Sequence, residues 1–264
     1  MTRIQLVLIC TLIALSSKAY ASNHLQQVKI CLGDDSPLAP YTIWDEKLPE
    51  VKAVDITGIL PDLAQEVFSK TRYEYVISPM PWSRVIRNMQ SKDSECDVAL
   101  SASFKQERVE FMYYAFPLYK FSIGYFYTGS DSVWVDLSNI NKNKACGIVG
   151  YNYEHFNYKN EINLVDSTSK ALSLLSKNRC QIFLSEIEPI LYGMEKGLYQ
   201  IDQKIYDSQD NLLYKVTDEK AYYLIVNKQT HNAEAILADL NQRLTEVQQN
   251  GTFDAIKSKY LKKL

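Results

Sequence analysis

Two six-residue stretches, Cys96-Asp97-Val98-Ala99-Leu100-Ser101 and Cys180-Gln181-Ile182-Phe183-Leu184-Ser185, follow one pattern: a cysteine, an apolar run and a terminal hydroxyl. Each has an earlier cysteine-bearing stretch, Lys29-Ile30-Cys31-Leu32-Gly33 for the first and Ala145-Cys146-Gly147-Ile148-Val149-Gly150 for the second. Short apolar runs of this kind read as buried strands. Ligands of open α/β sheets sit just beyond the carboxyl ends of strands, so the two hydroxyl-bearing ends suggest a cleft between two similar units. The chemistry this offers is hydrogen bonding to a small solute. The sequence contains no Gly-x-Ser-x-Gly elbow, no His-Glu-x-x-His pair and no phosphate loop. Its three histidines, His24, His155 and His231, are scattered.

The cysteines point the same way. Cys10 lies in an apolar N-terminal run, which leaves four of the five. Because Cys31 and Cys96 lie on matching strands of one unit, and Cys146 and Cys180 on those of the other, the expected disulfides are Cys31–Cys96 and Cys146–Cys180. Buried free thiols are the alternative reading. A zinc site would need Cys-x-x-Cys spacing or a nearby histidine, and neither is present.

Positioning these residues requires alternating strands and helices. Strands are predicted at Val28 to Leu32, Tyr73 to Ile77, Asp97 to Leu100, Gly147 to Val149 and Gln181 to Leu184. Amphipathic helices are predicted over Asp62 to Ser69, from Pro81 onward with Trp82, Val85, Ile86 and Met89 inward, over Ser169 to Lys177 and from Ile187 to Lys196. A second α/β series is read as starting at Val133. Two extended stretches, Lys120 to Tyr127 and Ala221 to Asn227, read as paired strands crossing at a hinge. A long helix from about Asn232 to Gln249, ended at Asn250-Gly251, and a last helix to Leu261 close the chain. The order strand, helix, strand, helix, strand gives an α/β fold with mainly parallel sheets and helices on both faces.

Composition bounds the function. With 264 residues, 46% hydrophobic and 23% charged, the chain can bury a sizeable core and is long for a single compact unit. Arg3, an apolar run from Ile4 to Leu15 and the small-residue end Ala19-Tyr20-Ala21 read as a signal peptide, residues 1–21, cleaved after Ala21. The run is too short for a membrane-spanning helix. The net charge of −2, with bases scattered, leaves no footprint for nucleic acid.

The stretch Pro81-Trp82-Ser83-Arg84, then Cys96 through Ser101-Ala102-Ser103-Phe104-Lys105-Gln106-Glu107-Arg108, then Phe116-Pro117-Leu118-Tyr119, resembles the periplasmic solute-binding proteins of the polar amino acid ABC transporter type, solute-binding family 3. The ending Asn241-Gln242-Arg243-Leu244, Asn250-Gly251-Thr252-Phe253-Asp254-Ala255-Ile256 and Lys259-Tyr260-Leu261 is similar to that family's closing helices. The resemblance implies a two-lobed periplasmic-binding-protein-like fold of type II: lobe 1 from residues 22–121 and the returning 224–264, lobe 2 from 122–223. It implies a monomer that needs no cofactor, binds an amino acid or related small carboxylate by hinge closure, and hands it to an ABC permease.

The resemblance also assigns residues. Arg108 matches the arginine that grips the ligand carboxylate, a planar donor fork suited to that anion; an ordinary salt bridge to Glu107 or Glu110 is the competing reading. Ser101 and Ser103 match positions flanking the ligand, and Asp35 an acidic position in the first loop. Counting from Arg179-Cys180 puts the ammonium-binding acid of lobe 2 on Glu186; counting back from Pro189 puts it on Glu188. The chain departs from the family at Lys105, at Leu38, where a stacking aromatic is usual, and at the turn Gly150-Tyr151-Asn152-Tyr153. Tyr41, Trp82, Tyr151 and Tyr153 are therefore expected as aromatic walls. The resemblance further admits an enzyme, since the fold hosts a cyclohexadienyl dehydratase, with Glu186 as general acid, and a sensory module acting through a receptor.

Overall fold

The computed structural model describes residues 25–33, 37–45, 48–128, 137, 140, 144–156, 158–199, 205–206 and 212–261. The signal peptide, Val133 and Asp35 lie outside the described residues.

The strands are β1 (Gln26–Gly33), β2 (Tyr73–Met80), β3 (Val98–Ser103), β4 (Met112–Tyr127), β5 (Ala145–Ile148), β6 (Ile162–Val165), β7 (Ile182–Glu186) and β8 (Tyr214–Asn227). Among the described residues they form one eight-stranded sheet in the order β2-β1-β3-β8-β4-β7-β5-β6. The outer triplets β2-β1-β3 and β7-β5-β6 are parallel. The long strands β4 and β8 run antiparallel to each other and to their outer neighbours, and join the triplets. A parallel sheet with helical crossovers is what the alternating pattern dictates.

The first half carries α1 (Ile59–Phe68), α2 (Trp82–Gln90) and the C-terminal α5 (Ala233–Gln249) and α6 (Thr252–Leu261). Ile59, Leu60, Leu63, Val67 and Phe68 of α1 share a core with Ile236, Leu240 and Leu244 of α5 and Phe253 and Ile256 of α6. On the opposite sheet face, Val85 and Met89 of α2 meet Ala99, Ala102 and Ile225. The chain therefore returns to its first half through β8. The second half has its own core, in which α3 (Thr168–Ser176) and α4 (Ile187–Glu195) supply Ala171, Leu172, Leu175, Ile187 and Ile190 against Phe126, Ile148 and Phe183.

Both cysteine pairs are disulfides. Cys31 of β1 joins Cys96, just before β3, with Cα atoms 5.5 Å apart, and Cys146 of β5 joins Cys180, just before β7, at 5.8 Å. Each clamps the central strand of a triplet to the strand that leads into the cleft.

Three expectations are corrected. The crossing strands start well before Lys120 and Ala221: β4 begins at Met112 and β8 at Tyr214. Pro117 has no N–H for the ladder, and the β4–β8 register shifts on either side of it, which breaks the alternation that marks a strand in sequence. Helix α1 begins at Ile59 rather than Asp62, because Pro61 falls in the first turn, where a missing N–H costs nothing. Strand β6 was not expected, for its four residues carry no long periodic signal.

Candidate functional site

The carboxyl ends of β1, β3 and β7 open onto one cleft of about 590 Å³, counting its mouth. Leu32, Gly33, Leu38, Thr42, Trp82, Leu100, Ser101 and Ser103 line it from the first half, and Tyr151, Asn152 and Glu186 from the second; Tyr222 of β8 completes the wall. The two halves touch across it. Asn152 Nδ2 donates to the Phe104 carbonyl at 3.0 Å, Lys105 Nζ pairs with Glu154 at 3.3 Å, and Tyr199 Oη donates to the Pro37 carbonyl at 3.1 Å.

Ser101 is presented by a backbone irregularity. The β3–β8 register shifts between Ala99 and Ala102, and Ser101 sits in left-handed backbone with φ 66°. A non-glycine residue there is strained, and a bulge of this kind re-aims its side chain. The Ser101 hydroxyl meets Tyr119 Oη at 2.5 Å. Tyr119 stacks on Tyr222 with ring centroids 5.4 Å apart, and the tilted Tyr41 ring lies 4.0 Å from it.

Glu186 ends β7 and N-caps α4, with 1% of its surface exposed. Lys220 Nζ lies 2.5 Å from its Oε1, and Tyr222 Oη donates to the same oxygen. Lys220 Nζ also donates to the Asn152 carbonyl at 3.2 Å. Burial pushes the Glu186 carboxyl up, but the charge and hydrogen bond of Lys220, with the Tyr222 bond, outweigh it and hold the group below the usual carboxylate range. Burial first, and then the Glu186 charge, drive the Tyr222 phenol well above its ordinary value. Its partner Tyr119 is raised likewise, burial again leading. Both phenols stay neutral at any working pH, and Tyr222 remains a donor to Glu186.

Among the expected site residues, Ser101, Ser103, Trp82, Tyr151 and Glu186 come together in the cleft lining. Trp82 is wedged between the halves: a Cβ added at Gly33 would lie 3.4 Å from its Cβ, and one at Gly150 would lie 3.2 Å from its Cδ1. Arg108 is not in the lining. It is buried in a 3-10 turn (Gln106–Glu110) one layer behind, where Nη1 donates to the Ser103 carbonyl at 3.2 Å. Tyr41 belongs to the first half's core behind Tyr119, and its phenol is pushed up to about 12 by burial, then by the charge of Glu188. Tyr153 fills the space over Gly147, and its hydroxyl bonds the backbone of Ile148. Glu188 accepts from the Ser122 N–H at 3.0 Å, so of the two competing acids it is Glu186 that lines the cleft.

Lys220, Tyr222, Asn152 and Tyr119 were not singled out by sequence reasoning. A signal existed for Lys220: on β8 it shares a face with Tyr222, Leu224 and Val226, all buried, and a lone lysine on an apolar strand face needs a counter-ion.

Solved structures share this architecture across different functions. An ABC uptake transporter substrate-binding protein from Streptococcus pneumoniae with bound histidine is 15% identical, covering 90% of this chain and 93% of that one, with a TM-score of 0.67. A histidine kinase sensor domain with similarity to periplasmic binding proteins is 16% identical, covering 90% and 97%, also at 0.67. The ancestral amino acid-binding protein AncCDT-1, a precursor of cyclohexadienyl dehydratase, is 14% identical, covering 89% and 95%, again at 0.67. Among curated proteins, none matches the sequence significantly. Identities this low establish the fold and no more, whereas the family match is direct: residues 30–263 fit the bacterial extracellular solute-binding proteins, family 3, and the chain belongs to that family.

Proposed function

We propose that the cleft binds a small solute, an amino acid or a related small carboxylate, and that the chain delivers it to an ABC permease. The observation that carries this reading is a cleft whose described lining is drawn from both halves, with Ser101 and Ser103 on one side and Tyr151, Asn152 and Glu186 on the other. Contacts made to both sides exist only when the halves meet, so a ligand making them favours the shut form. In this reading residues 22–121 and 224–264 form lobe 1, residues 122–223 form lobe 2, and β4 and β8 are the hinge. The protein acts as a periplasmic monomer after cleavage following Ala21.

In this reading Arg108 does not touch the ligand but holds the Ser103 carbonyl from behind the lining and so positions Ser103. Micromolar affinity corresponds to about −8 kcal/mol. Charge-assisted hydrogen bonds of roughly 1.5–3 kcal/mol each, with burial against Trp82 and Leu100, are enough to supply it. A dehydratase role for Glu186 is disfavoured, because a general acid must carry a proton and Lys220 holds this carboxyl ionised.

The test is a thermal-shift screen over amino acids and small carboxylates on wild type, Trp82→Ala and Arg108→Ala. A stabilising ligand whose effect falls in both variants supports the reading; hits indifferent to both substitutions would place binding elsewhere and defeat it.

A further inference from the structure

Glu186 reaches the cleft with its counter-ion already in place. Lys220 and Tyr222 both act on Oε1, while Oε2 is enclosed and has no hydrogen-bond partner. The Glu186 and Lys220 side chains are 1% and 2% exposed, and Lys220 is held further by the Asn152 carbonyl. Among the described lining residues Glu186 is the single acid. The other nearby cations are occupied: Lys105 pairs with Glu107 and Glu154, and Arg108 holds the Ser103 carbonyl.

A ligand ammonium brought to Oε2 would share one negative charge with Lys220, placing two like charges on a carboxylate that is almost fully buried. Displacing Lys220 instead would strand a buried cation. A neutral O–H or amide N–H meets neither obstacle, and it satisfies an acceptor that is costly to leave unpaired.

We infer that the solute presents a neutral donor, a hydroxyl or an amide N–H, to Glu186 Oε2, so that among small carboxylates the cleft selects a hydroxy acid over the matching amino acid. This rests on the reading of the cleft as the solute site. Lys220 is then a specificity-determining residue, occupying from within the chain the place an ammonium would take.

Isothermal titration of the mature protein at neutral pH with matched pairs tests it: L-lactate and L-alanine, L-malate and L-aspartate, L-phenyllactate and L-phenylalanine, L-4-hydroxyphenyllactate and L-tyrosine. The expected result is a hydroxy acid bound about tenfold or more tightly than its twin, with the preference shrinking or reversing in Lys220→Met, where the Glu186 charge is released. The wild-type pairs decide the matter even where Lys220→Met does not fold. An amino acid bound as tightly as its hydroxy acid twin overturns the inference and leaves solute binding standing. Heat from none of these probes overturns both.

Discussion

Strands β3 and β7 carry the same sequence pattern into the same cleft and end it differently. In β7 the ladder to β4 runs unbroken, Gly124 opposite Ser185 and Ile123 opposite Glu186, so Ser185 is buried and the residue after it faces the cleft. In β3 the register slips between Ala99 and Ala102, Ser101 turns left-handed, and the hydroxyl itself lines the cleft. One slip in a ladder decides which residue of a common motif faces the cleft. The first end is neutral, a hydroxyl on a phenol; the second is charged and neutralised by a lysine from the shared strand β8.

The charged end should be the more fragile. Lys220→Met leaves Glu186 buried and unpaired, and Glu186→Gln does the same to Lys220, so each is expected to cost about 3–5 kcal/mol by denaturant unfolding. The double variant Lys220→Met with Glu186→Leu should recover most of that loss, since apolar replacement of a buried pair is often neutral. Single variants as stable as wild type would mean that the two ends do not differ in this way.

Next in size is the close approach of the halves at Trp82. Gly150 has φ +82°, and a Cβ there would press on Trp82 Cδ1. Gly150→Ala is expected to destabilise by roughly 1–2 kcal/mol from the backbone alone and to weaken solute binding further, because Trp82 must give way for the halves to meet. Unchanged affinity in a titration would show that the contact is incidental.

Acid separates the ends as well. The Glu186 carboxyl is held below its unfolded value by Lys220, so its contribution is complete above about pH 4.3 and is lost as pH falls through the lower folded value. Melting temperature should therefore drop more steeply with acid in wild type than in the double variant. The Ser101–Tyr119 contact contributes nothing to that slope, since neither group titrates there. Parallel slopes would deny Glu186 its part.

Much of this was legible beforehand. The alternating pattern gave the parallel triplets, the cysteine placement gave both disulfides, and Glu186 could be named as one of two candidates. Tertiary facts were not legible. The bulge at Ser101 leaves no trace in Val98-Ala99-Leu100-Ser101, which reads as a regular strand, and Pro117 disguised half of β4. Arg108 illustrates the limit: its place in the motif was plain, but not that its guanidinium would hold the Ser103 carbonyl one layer behind the lining.

The smallest effect is also the cleanest measure of the two strand ends. Alanine and glycine both remove a serine hydroxyl, so the stability difference between them at one position reports the backbone alone. At Ser101 the left-handed conformation penalises a Cβ, and Ser101→Gly should be more stable than Ser101→Ala by about 1 kcal/mol. At Ser185, in regular strand, glycine loses more entropy on folding, and Ser185→Gly should be less stable than Ser185→Ala by roughly 0.5–1 kcal/mol. Opposite signs at equivalent motif positions would establish that the bulge distinguishes the ends. Equal signs would mean that Ser101 reaches the cleft without backbone strain, leaving the lysine-paired glutamate as the one real asymmetry between them.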